Sequence, residues 1–240
     1  MTHPVKHRRA ADTGYPRGEQ TRLRIIRSAL QLFGERGFDG ASTRAIAARA
    51  GVNAPALQYY FDSKEGLYAA CVEHIAKGVS EHLSGPVMDA ERALASESGD
   101  DELIEAFCVI QSCLAELLFT SQDADAWRLF TVRQQAGLGE NAGFRTLYER
   151  VSKRMLDVMA SIVGHLLDRP VDDEETLIRA LSLNSEFMVI QVTRQTALTR
   201  LKSKQVDAPR LDLLKRIIRE HTSTLLHSMS RSRAASGGRW

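Results

Sequence analysis

Residues 42–61 constrain the chain more than any other stretch. An alanine-rich run, Ser42-Thr43-Arg44-Ala45-Ile46-Ala47-Ala48-Arg49-Ala50, stops at Gly51, and Asn53-Ala54-Pro55 follows at once. A hydroxyl at the head of the run caps one short helix. Asn53 caps another, with Pro55 in the first turn, where a helix tolerates it. This second helix covers only Ala54–Tyr60, because Asp62-Ser63 breaks it. Longer helices flank the pair. Before it, Leu23, Ile26, Leu30 and Phe33 recur at helical spacing over Gln20–Arg36, and Gly37 stands where a left-handed C-cap belongs. After it, Ser63 caps an amphipathic helix from Lys64 to about His82. Two short helices joined by a tight glycine turn and buttressed by a longer one make a helix-turn-helix.

Helix follows helix through the remainder. Asp101–Phe119 carries few polar residues; Glu105, Ser112 and Glu116 fall within about 40° on a helical wheel, so neighbours enclose its other faces. Trp127–Ala136, Phe144–Leu167, Asp173–Leu201 and Arg210–Ser228 read as further helices, with joints at Gly137, Gly139, Gly143, Pro170 and Pro209. Asp172-Asp173-Glu174-Glu175 complements a helix N-terminus and needs no metal to explain it. No alternating β-branched run interrupts the series. The fold class is all-α, an N-terminal helix-turn-helix unit followed by a C-terminal helical bundle.

Charge is split along the chain. Residues 1–65 hold 11 Lys and Arg against 6 Asp and Glu, whereas residues 66–240 hold 21 against 24. A basic end on a mildly acidic remainder suits one module that meets a polyanion and another that does not, although a solvated cluster reads equally well from charge alone. Three cysteines without ligand spacing argue against a disulfide framework and fit a reducing interior. No run of about 18 apolar residues is present, so no membrane span is expected, and the basic N-terminus lacks the apolar stretch of a secretion signal. The chain reads as cytoplasmic. Enzyme readings fail on specifics. GxSxG, GxxxxGKS/T and HExxH are absent, and Gly137, Gly139 and Gly143 miss GxGxxG by one residue. Cys71, Cys108 and Cys113 lack ligand spacing and no helical segment carries a histidine pair at i, i+4, so neither metal nor cofactor is expected.

The run Thr43–Val52, with Leu57, Tyr59-Tyr60-Phe61 and Ser63-Lys64-Glu65-Gly66-Leu67, resembles the DNA-binding signature of TetR-family regulators, in register from about Thr21 to about Val72. Trp127–Tyr148 is similar to the CecR-like subgroup of that family. The resemblance implies a homodimeric repressor on a palindromic operator in double-stranded DNA, released by a small-molecule effector. It also implies a DNA-binding domain over 19–66 and a regulatory and dimerisation domain over 67–230. The unperiodic mix of charge, His, Pro and Gly over 1–18 reads as a flexible basic arm, and the Ser/Gly/Arg-rich 231–240 as a disordered tail. A DNA-bound adaptor that recruits a protein partner, or an activator, is the alternative. One departure matters. Gln58 stands where the family usually has Tyr, and Gln bonds adenine bidentately whereas Tyr most often meets a phosphate, so the operator sequence cannot be borrowed from relatives.

A recognition helix needs a narrow, small-residue face to enter a groove about 12 Å wide. Asn53, Ala54, Pro55, Ala56 and Gln58 supply one. Pro55 and Ala56 suit thymine methyl groups, and Gln58 suits a base edge. Arg44 resembles the family position that reaches a guanine or a phosphate. Thr43, Tyr59, Tyr60 and Lys64 suit phosphates, Thr43 and Lys64 at helix N-termini; Tyr59 also suits the core. Leu57 and Phe61 belong to the core. Lys6, Arg8, Arg9 and Arg17 add phosphate or minor-groove contacts, or form a solvated tail.

One such module is too small for operator-level selectivity, so two act on half-sites about a helical turn or more apart. Leu211, Leu214, Ile218 and Leu225, widened by Leu213 and Ile217, and Leu177, Leu181 and Met188 on the preceding long helix form stripes for a four-helix interface between two chains. Packing within one chain is the other reading. For the effector, Phe107, Cys108 and Gln111 are candidate walls, with Trp127, Phe130, Met155, Met159 and Phe187 as neighbours. These soft side chains serve an apolar ligand or an ordinary core. Arg128 or Arg133 pairs with an anionic ligand or with a nearby carboxylate.

Overall fold

The computed structural model describes residues 16–121, 123–137, 145–146 and 148–236, and among them no strand occurs. The first helix, α1 (Pro16–Gly40), begins a turn before Gln20, since proline is at home in a first turn. Its helical geometry breaks at Gly37, whose φ of 76° is open to glycine. The Arg133 guanidinium lies 2.7 Å from where a Cβ on Gly37 would sit, so a larger residue would have to displace that side chain as well as adopt the positive φ. The short pair α2 (Thr43–Arg49) and α3 (Ala54–Phe61) is joined through Gly51, at φ 64°.

The next helix, α4 (Lys64–Ala95), does not stop near His82. It continues through Pro86, because the buried row Leu83, Val87, Ala90 and Ala93 extends the apolar stripe beyond the one N–H that proline removes. α5 (Asp100–Thr120) is long and apolar enough to cross a membrane, which the sequence reading had not expected of any segment. Here it serves as the strut of the bundle, packed on α4, with Leu103, Ile104, Phe107 and Ile110 buried. α6 (Ala124–Gln135) lies across α1.

The helix expected over Phe144–Leu167 resolves into a π-helical turn, Tyr148–Ser152, and α7 (Lys153–Leu167); Gly139, Gly143 and Phe144 lie outside the described residues. The expected single helix Asp173–Leu201 is two, α8 (Glu174–Val192) and α9 (Arg194–Arg200). Thr193 divides them, with its hydroxyl turned back onto the Val189 carbonyl at 2.8 Å. Asp173 caps α8, accepting from the Thr176 N–H at 3.1 Å. α10 (Ala208–Ser236) runs past Ser228, so Arg231–Ser236 is helix where a tail was expected; residues 237–240 lie outside the described residues. Its end is tied down, with Arg233 donating to the His165 carbonyl and to Asp100, each at 2.7 Å.

Three apolar clusters result. One joins α1, α2, α3, the first turns of α4 and α6 around Phe33, Leu67 and Phe130. A second joins the far half of α4 to α5, α7, α8 and α10 around Phe107, Met159 and Ile162. A third and smaller one holds Ala115, Phe187, Leu211 and Ile218. α4 therefore belongs to both of the large cores, and the boundary expected at residue 66 falls inside a shared helix.

Candidate nucleic-acid interface

Each helix of the short pair begins with a satisfied cap. Ser42 Oγ accepts from the Ala45 N–H at 3.1 Å and Asn53 Oδ1 from the Ala56 N–H at 2.9 Å; Ser63 Oγ does the same for Gly66 at the head of α4, at 3.0 Å. Leu57 and Phe61 face the core, as the spacing requires. The opposite side of α3 presents Asn53, Ala54, Pro55, Gln58 and Tyr59 to solvent, with Ala56 and Tyr60 half-buried beside them. Tyr59 is 83% exposed, which removes it from the core, and meets Tyr60 edge to face at 5.3 Å.

The surrounding charges are arranged around this face. Arg49 forms a bidentate pair with Glu35 at 2.9 and 3.2 Å, fixing α2 on α1. The hydrogen bond from Arg49 holds the Glu35 carboxyl below its usual range. Arg49 is thus committed to structure. Arg44, one turn earlier, is exposed and makes no ion pair among the described residues. Thr43 is half-buried at the N-terminus of α2. Lys64 sits with Nζ 4.4 Å from the Phe38 ring centre and 3.5 Å from the Asp39 carbonyl, so its charge is held at the junction of α1 and α4. Residues 1–15, with Lys6, Arg8 and Arg9, lie outside the described residues, and nothing is described of the Arg17 side chain.

A second arrangement was missed in the sequence. α6 is seated against α1 and α4 through glycines within helices: a Cβ on Gly34 would lie 2.7 Å from Leu129 Cβ, and one on Gly78 would lie 2.1 Å from the Trp127 ring. Asp123, just before α6, ties the same elements together, 2.7 Å from Arg27 on α1 and 2.9 Å from His74 on α4. Burial works to raise the Asp123 carboxyl, but the His74 hydrogen bond and the Arg27 charge hold it below its usual value. The available signal was the pair of mid-helix glycines, which cost helix stability unless something packs on them.

The eight residues expected around an effector do not converge. Trp127 and Phe130 belong to the first core, and Phe107, Cys108, Met155 and Met159 to the second. Phe187 belongs to the third. Of the eight, Cys108, Gln111 and Phe187 line one cleft of about 180 Å³ between α5, α8 and α10. Burial pushes the Cys108 thiol up to about 11. Arg128 lies 3.7 Å from Asp125, and Arg133 is the residue against Gly37.

The apolar stripes of α8 and α10 divide. Leu177, Leu181 and Leu225 are exposed, and Met188 and Leu214 are half-buried. Leu211 and Ile218 are instead buried within the chain, against Ala115 and Phe187, and are withdrawn from the outer face. Ile178, Val189 and Val192 on α8 and Leu213 and Ile217 on α10 also stand exposed. α10 carries two adjacent apolar stripes, and spacing alone cannot say which one turns inward.

Comparison with known proteins agrees with this geometry. The family model for bacterial regulatory proteins of the tetR family matches residues 25–71, and that for the C-terminal domain of the HTH-type transcriptional dual regulator CecR matches residues 103–229. The dual regulator CecR of Shigella flexneri is 28% identical over 215 residues, covering 89% of this chain and 95% of that protein. A transcriptional regulator from Pseudomonas aeruginosa PAO1 has the same fold at a TM-score of 0.58 and 20% identity, covering 89% and 94% of the two chains. PfmR, a TetR-family regulator from Thermus thermophilus, gives 0.52 at 18% identity, over 85% and 97%.

Proposed function

Because this chain belongs to the TetR family of DNA-binding transcriptional regulators, with a CecR-type C-terminal domain, we propose that it acts as a cytoplasmic homodimer on a palindromic operator and is released by a small molecule. The observation that carries the reading is the outer face of α3, a helix whose other side is buried. There the small residues Ala54, Pro55 and Ala56 lie beside Gln58, whose amide, unlike that of Asn53, is not used as a cap. Such a face enters the major groove without collision, and Gln58 reads a base edge there. Arg44 reaches a base or a phosphate, while Thr43, Tyr59, Tyr60 and Lys64 grip the backbone and set register. The exposed apolar face of α8 and α10 suits a two-fold, self-complementary interface, with Leu177, Leu181, Met188, Leu214 and Leu225 across it. Two recognition helices then have a fixed spacing, and an effector acts by favouring a dimer in which that spacing is wrong.

Neither a catalytic group nor a cofactor enters this reading. The CecR relative is named a dual regulator, so activation at some sites and repression at others is a second outcome of the same binding event.

The test is selection of bound genomic fragments followed by mobility shifts. Gln58→Ala relaxes preference at one base, at a cost of about 1–3 kcal/mol there. Lys64→Ala weakens all sites alike and flattens the salt slope by about one unit. Indistinguishable behaviour of the two variants overturns the assigned roles.

A further inference from the structure

The cleft between α5, α8 and α10 has apolar walls, chiefly Cys108, Phe187 and Ile218, and two polar features that its surroundings leave unused. The first is Gln111. It is 2% exposed and donates through Nε2 to the Leu183 carbonyl at 2.9 Å, yet its Oε1 has no partner. Buried acceptors are nearly always satisfied in folded proteins, so an orphan beside a cleft asks for a donor. The second is Arg216. Of the three cations that line the cleft, Lys215 is paired with Glu116 and Arg219 with Glu105, whereas Arg216 makes no ion pair among the described residues.

We propose that this cleft binds a monocyclic aromatic carboxylate that also carries a hydrogen-bond donor. Size sets the first limit. An apolar cavity of about 150 Å³ accepts a benzene ring, so the 180 Å³ available here holds one ring with small substituents. Charge sets the second. A guanidinium presents a planar fork that matches a carboxylate, and Arg216 is the cation with its fork uncommitted. The third is the donor: Gln111 lines the cleft and its Oε1 lacks a hydrogen, which a hydroxyl on the ring would supply.

The inference rests on the effector-release reading and gives it a site. Phe187 and Ile218 belong to α8 and α10, the two helices whose outer sides carry the exposed apolar face, so a ring seated between them bears on how that face is set against α5. A ligand with no preference among such settings would change nothing.

The experiment is calorimetric titration of the full chain, without DNA, with 4-hydroxybenzoate, benzoate and phenol. The expected result is saturable binding of one 4-hydroxybenzoate per chain. Benzoate, which lacks the donor, and phenol, which lacks the carboxylate, each bind at least about tenfold more weakly. Arg216→Ala, an exposed position, weakens 4-hydroxybenzoate by at least about tenfold and leaves phenol unchanged. Ser112→Phe, which fills the cleft, abolishes binding of all three in a chain of unchanged helical content. Absence of saturable binding by the folded wild type, equal binding of the three probes, or indifference to Arg216→Ala each overturns the cleft. Mobility shifts with 4-hydroxybenzoate separate the two readings. Binding without release of DNA overturns the release mechanism and leaves the cleft intact. Release that survives Arg216→Ala overturns the cleft and leaves the mechanism intact.

Discussion

The two ends of the molecule differ in how completely one chain finishes them. In the first, from Pro16 to Ile75, Tyr59 is the one large hydrophobic side chain among the described residues that stands exposed. The turns are capped, and Arg49 is tied to Glu35. What remains outward is a set of small and polar groups on α3. In the second, α8 and α10 leave Leu177, Ile178, Leu181, Val189, Val192, Leu213, Ile217 and Leu225 exposed. Eight exposed large apolar side chains on two helices suit a place where another surface belongs. The contrast teaches that one chain completes the first end by itself and leaves the second with apolar side chains uncovered.

The strongest way to break that contrast is to charge the unfinished face. Leu181→Glu together with Leu225→Glu places four carboxylates in a two-fold interface, and weakens the dimer by about a thousandfold, about 4 kcal/mol. Sedimentation measures it, and circular dichroism shows the helices retained. A dimer that survives puts the interface elsewhere. Next in size is Phe33→Ala in the finished end. Phe33 is 1% exposed and packs against Phe38 and Tyr68 with ring centres 5.7 and 5.2 Å apart. Its truncation costs about 3–5 kcal/mol in urea melts, whereas Leu177→Ala on the open face changes the monomer by under about 0.5 kcal/mol.

The smallest effect lies inside the first end, where Asp123 ties α6 to α1 and α4. The Asp123 carboxyl is held below its ordinary value of 3.8, so its stabilisation is present above that value and is lost as pH falls through it toward the lower folded pKa. Melts between about pH 5 and pH 3 therefore show a steeper acid loss for the wild type than for Asp123→Asn. Equal slopes would mean that Arg27 and His74 do not depend on this carboxylate.

Legibility followed the same division. In the first end, local signals suffice. Ser42, Asn53, Pro55, Gly51 and Ser63 each encode a backbone event within three residues of themselves, and the inward positions Leu57 and Phe61 follow from the period. The expected end of α4 near His82 falls short because what carries the helix through Pro86, the row Leu83, Val87, Ala90 and Ala93 against the second core, is tertiary. The division at Thr193 turned on one hydroxyl bond to a carbonyl. Leu211 and Ile218 were placed on the outside because two apolar stripes run side by side along α10, and only the position of Phe187 decides between them. The effector walls dispersed for a similar reason: soft side chains announce burial, not which of three cores they enter.

The continuity of α4 has a geometric consequence. From Lys64 to Pro86 the helix is a rod of about 33 Å at 1.5 Å per residue, rooted at one end in the DNA-facing core and at the other in the bundle. A pivot of about 5° at the proline swings its tip by about 3 Å, close to the 3.4 Å that separates successive nucleotides along a strand. A shift too slight to disturb packing around Phe107 is thus, at the far end of the lever, a slip of about one rung.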